Sequence, residues 1–93
     1  MKVAVLKFGG TSVADPEKIQ RAARRAVEMR RAGWAVAVVV SAPGEMTAEL
    51  IGLARRVAAE PARRELDPLM ATGEIIGVSL FAMACRELGA PAV

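Results

Sequence analysis

The segment from Trp34 to Val40, WAVAVVV, carries no polar side chain at any position, and four of its residues are valine. A strand with one face in water alternates apolar with polar residues, so an unbroken run of this kind reads as a strand covered on both faces. Strands of that sort belong to parallel sheets, whose crossover helices do the covering. The run therefore predicts an α/β architecture and excludes an open antiparallel sheet.

The residues ahead of the run complete a crossover unit. KVAVLKF, residues 2 to 8, reads as a short buried strand closed by Gly9 and Gly10. Asp15 offers a side-chain cap, Pro16 suits the first helical position and Glu17 favours the first turn. Ile19, Ala22, Ala23, Ala26 and Val27 then recur at spacings of three and four, and Gly33 closes the helix. After WAVAVVV comes the loop SAPGEMT. Thr47 is expected to cap a second helix carrying Leu50, Ile51, Leu53, Ala54 and Val57, with Pro61 as its stop. PARREL reads as a charged connector, and Asp67 with Pro68 as the opening of a long helix that ends near Leu88 and Gly89. Gly73 and Gly77 inside it each cost about 1 kcal/mol against alanine, which predicts a packing or ligand reason for them. Apolar residues surround the stretch from Ile75 to Leu88, so this helix is expected to be buried. APAV at residues 90 to 93 reads as the start of a third strand. Two strands and a stub leave a parallel sheet incomplete, so residues 1 to 93 are expected to be the leading part of a larger α/β domain.

Composition narrows the function classes. Apolar residues make up 54% of the 93 and charged residues 25%, which excludes disorder. The net charge of +3 follows from 13 basic against 10 acidic residues, and most arginines, among them Arg21, Arg24, Arg25, Arg30 and Arg31, fall on a solvated helix face. Aromatics are 3% and tyrosine and histidine are absent, so no base-stacking platform exists and nucleic acid is not an expected partner. The single cysteine, Cys85, excludes an internal disulfide and a multi-cysteine metal site, and its neighbours Phe81, Ala82, Met83 and Ala84 mark it as a small buried hydrophobe. No secretory leader is evident, and no apolar run approaches the roughly 18 residues that a membrane span requires. The expectation is a cytoplasmic protein without a membrane partner.

Ligands of open α/β sheets gather beyond the carboxyl ends of the strands. Two loops rich in small and hydroxyl residues lie there: Gly9 to Ser12 after the first strand, and Ser41 to Thr47 after the second. Glycines let backbone N–H groups approach an anion, and Lys7 adds a point charge that could follow a transferring phosphoryl group. Neither GxxxxGK[ST] nor GxGxxG is present. On these residues alone, a tight turn with Lys7 as an ordinary end charge is the favoured reading. Glu74, beside Gly73, would want a cationic partner such as a substrate ammonium, a salt bridge or water. Thr47 can be a cap, a ligand to a carboxylate, or both.

KFGGTSV, VVVSAPG followed by Thr47, ELDPLMATGE and LGAPAV, in that order and at those spacings, closely resemble the amino-terminal portion of aspartate kinases, members of the amino-acid kinase superfamily. The resemblance covers essentially the whole chain. It implies an amino-acid-kinase-type three-layer αβα fold with a mainly parallel sheet, here lacking the nucleotide-binding half and the ACT domains. It implies that Lys7, Phe8, Gly9 and Gly10 approach the ATP phosphates, with Lys7 catalytic, and that Ser41, Thr47 and Glu74 line the substrate site, with no metal-ligating residue assigned. The implied reaction transfers the γ-phosphoryl group of MgATP to the side-chain carboxylate of L-aspartate, giving 4-phospho-L-aspartate for lysine, threonine and methionine biosynthesis. ATP and Mg2+ are the implied cofactors, L-aspartate the partner, and a homo-oligomer the implied state of the longer enzyme. A carboxylate is already ionised at pH 7, so the absence of histidine is no obstacle.

The sequence departs from the family at Pro43, where methionine is usual, at Met46, where threonine is common, and at Ala48, where aspartate or asparagine is usual. Met46 and Ala48 flank Thr47 and remove polar groups from the substrate loop. The 93 residues alone are expected to be inactive. Two alternatives remain: a kinase of another amino acid or of carbamate, and a non-catalytic half-domain acting as an interaction or assembly module.

Overall fold

The computed structural model describes residues 2 to 93. In chain order the elements are strand β1 (Val3–Phe8), a 3-10 turn (Gly10–Val13), helix α1 (Pro16–Arg31), strand β2 (Ala35–Val40), helix α2 (Met46–Val57) and helix α3 (Arg63–Glu87). β1 and β2 pair in parallel, in register from Val3 opposite Ala35 to Phe8 opposite Val40. α1 is the crossover between them, so the α/β class and the parallel pairing are as expected.

The pleat of the sheet decides what is covered. Leu6, Phe8, Val36, Val38 and Val40 lie on one face and pack with Val13, the Ile19 to Val27 stripe of α1, and Phe81 and Cys85 of α3. The Phe8 and Phe81 rings meet at 5.7 Å between centroids. The opposite face, with Val3, Val5 and Val39, is 51% or more exposed at each of these valines. Among the described residues only one helical layer is present, so the strands are covered on one side alone.

α1 is built as its sequence requires. Asp15 Oδ1 accepts the backbone N–H of Lys18 at 2.8 Å, Pro16 takes the first helical position, and Gly33 follows the helix at φ +102. Arg31 at its end donates from Nη2 to the Leu88 carbonyl at 2.7 Å, which ties the ends of α1 and α3 together.

Expectations for the second half of the chain are corrected at several points. α2 starts at Met46 and not after Thr47, because Gly44 at φ +55 tightens the loop and the Met46 N–H reaches the Pro43 carbonyl at 3.1 Å. Thr47 therefore lies inside the first turn and caps nothing. α2 also ends at Val57, ahead of Pro61. PARREL is no connector: α3 begins at Arg63, and Asp67–Pro68 lies a turn inside it. Proline there forfeits the bond to the Arg64 carbonyl, a loss limited by the exposure of this first stretch of α3.

Burial of α3 is confined to one stripe, Gly73, Gly77, Phe81 and Cys85, while Ile75, Val78 and Met83 are more than half exposed. An 18-residue stretch of α3 has a mean hydropathy of 1.5, so by length and composition this helix could cross a membrane, against the expectation that no run would. Residues 90 to 93 form no strand, although Ala90 and Ala92 rest against the core.

Candidate functional site

Lys7 lies at the carboxyl end of β1 on the bare side of the sheet. It is exposed and has no ion-pair partner among the described residues. Phe8, next along, alternates to the other face, where its ring belongs to the core, and its carbonyl accepts the Ser41 N–H at 3.1 Å. The Phe8 ring is thus turned into the core, and its carbonyl is engaged in holding the start of the second loop. At Gly9 the backbone is extended, φ −72 and ψ 172, and a Cβ there would meet nothing within 4 Å. Neither backbone conformation nor packing among the described residues demands glycine at position 9.

Gly10 is different. A Cβ on it would lie 3.0 Å from the Ala42 carbonyl oxygen and 3.2 Å from that of Gly44, and its own carbonyl accepts the Gly44 N–H at 2.9 Å. The loops after β1 and β2 are thus in direct backbone contact. The 3-10 turn that starts at Gly10, closed by Ser12 N–H to the Gly9 carbonyl at 3.0 Å, was read from sequence only as a loop.

The second loop meets α3. A Cβ at Gly77 would come within 2.6 Å of the Ser41 carbonyl oxygen and 3.4 Å of Pro43 Cδ. One at Gly73 would lie 3.1 Å from Ala42 Cβ and 3.4 Å from both Leu50 Cδ1 and Met46 Sδ. Pro43 and Met46, two of the three departures from the family pattern, are therefore packing residues against α3. Ser41 is half-buried between β2 and α3. Thr47 and Glu74 are exposed, each one residue beyond a contact between the loop and α3, and neither side chain makes a hydrogen bond among the described residues.

Three segments thus converge at the carboxyl edge of the sheet, carrying a cation at Lys7, open backbone at Gly9, a hydroxyl at Thr47 and a carboxylate at Glu74. Cys85 sits well away in the core, where burial pushes its thiol above the ordinary value. Grooves of about 470 Å³ between α1 and α3, and about 460 Å³ beside β2, involve none of the predicted site residues. No three His, Cys, Asp or Glu side chains gather as a metal site among the described residues.

The profile of the amino acid kinase family matches residues 2–93. The chain belongs to the amino acid kinase family. Within that family it is 50% identical over 93 residues to aspartokinase 2 of Bacillus subtilis (strain 168), covering all of this chain and 23% of that protein. It is 51% identical over 92 residues to an aspartokinase of Mycolicibacterium smegmatis, covering 99% of this chain and 22% of the relative. The structure superimposes on aspartate kinase from Synechocystis with a TM-score of 0.94 at 42% identity, covering 98% of this chain and 16% of that one. The chain therefore spans less than a quarter of the length of the curated relatives it matches. Its α/β fold is that of the matching part of an aspartate kinase.

Proposed function

We propose that residues 1 to 93 form the leading part of an amino-acid kinase domain that phosphorylates the side-chain carboxylate of L-aspartate with ATP. The γ-phosphoryl group moves to a carboxylate oxygen, and the products are 4-phospho-L-aspartate and ADP. The observation that carries this reading is the placement of Lys7, without an ion-pair partner among the described residues, the unconstrained Gly9 and the loop of Ser41 to Thr47 at one sheet edge. It is supported by relatives named aspartokinase at about half identity.

The chemistry asks little of the protein beyond position and charge. Aspartate brings an ionised nucleophile, so no general base is needed. Lys7 neutralises charge on the phosphoryl group as it moves, and N–H groups near Gly9 and Gly10 hold the phosphates. The Thr47 hydroxyl donates to a substrate carboxylate, the Glu74 carboxylate accepts from the substrate ammonium, and Ser41 lines the site. The nucleotide brings Mg2+, to which no described residue is assigned here. The adenine site, cytoplasmic location and homo-oligomeric state belong to the same proposal and depend on polypeptide outside these 93 residues.

The full polypeptide encoded by the gene, supplied with ATP and L-aspartate, should release ADP only when both are present. Lys7→Ala should lower kcat by about 100-fold or more. Full turnover in that variant, or turnover with another amino acid and none with aspartate, would refute the assignment.

A further inference from the structure

We infer that Ala42 is a positioning residue that sets the separation between the phosphate-side turn and the acceptor-side helices. The inference rests on the kinase reading above and adds a residue with no assigned role in it. Ala42 is 6% exposed and lies between two glycines from different segments. Its carbonyl oxygen is 3.0 Å from where a Cβ would stand on Gly10, and its methyl carbon is 3.1 Å from where one would stand on Gly73. One side of this single residue thus faces the turn next to Lys7. Its other side faces the point on α3 that precedes Glu74, and Met46, which precedes Thr47, closes on the same point.

Both contacts are too tight to take another carbon without movement, so the thickness of residue 42 becomes the spacing between donor and acceptor halves. The two contacts differ in kind. At Gly73 the obstacle is the Ala42 side chain, which can be trimmed away. At Gly10 it is backbone oxygen, which cannot.

That difference supplies the test, made on the full polypeptide. Gly73→Ala should raise KM for the acceptor and lower kcat, together about 10- to 100-fold in kcat/KM, with KM for ATP nearly unchanged. Adding Ala42→Gly to Gly73→Ala should restore most of the loss, whereas adding it to Gly10→Ala should restore none. Gly52→Ala, on an exposed part of α2 where a Cβ meets nothing within 4 Å, is the control that should leave kinetics unchanged.

Wild-type kinetics in a folded Gly73→Ala variant would overturn the inference and leave the kinase reading standing. So would a double variant no better than the single one, or a double variant as unfolded as the single, which would make the contact purely structural. A folded wild-type polypeptide without phosphoryl transfer to any amino acid would overturn both.

Discussion

At Asp15 one carboxylate oxygen decides where α1 begins, since it occupies a backbone N–H that would otherwise lack a partner. Asp15→Ala should lower the free energy of unfolding of the full polypeptide by about 1 kcal/mol, seen as an earlier denaturant midpoint. An unchanged midpoint would mean that Pro16 alone starts the helix. Asp15 was readable in the sequence because capping is local. Thr47 was not, although it is the same kind of residue: the positive φ of Gly44 moves the start of α2 ahead of it, and a glycine permits that conformation without requiring it. Its exclusion from capping leaves the Thr47 hydroxyl free for the substrate role proposed here. Cys85 shows the opposite case, where apolar neighbours in sequence correctly marked a buried site.

α3 combines what was legible with what was not. Its two glycines stood out because each weakens a helix, and the structure supplies the reason: both face the loop after β2. Gly77→Ala must push against the Ser41 carbonyl, so it should destabilise by about 1–3 kcal/mol and weaken acceptor binding through Ser41. Calorimetric unfolding and acceptor titration of the full polypeptide would check both effects, and a neutral result would mean that the loop yields freely. The true start of α3 was hidden because Asp-Pro is a common opening pair that here falls one turn late, in an exposed stretch that tolerates the missing bond. The contact between Gly10 and Ala42 was equally hidden. It joins segments distant in sequence, and no periodicity encodes such a meeting.

The described residues measure 50 × 26 × 17 Å with a radius of gyration of 15.4 Å, against about 12 Å for a compact domain of this length. The excess reflects a sheet covered on one side and a long helix with one buried stripe, features foreshadowed by the unbroken run WAVAVVV and the largely apolar stretch from Ile75 to Leu88, which have too few partners. Residues 2 to 93 produced alone should therefore self-associate and bind a hydrophobic dye. Sedimentation as a well-folded monomer would contradict this, and would also remove the basis for reading the chain as an assembly module. Because strand residues alternate between faces, Lys7 shares its side of the sheet with the bare Val3 and Val5. Any layer that covers those valines also strips water from the surroundings of the lysine. In that lower dielectric the attraction between its ammonium and a phosphate grows, so completing the sheet and strengthening the cation become a single event.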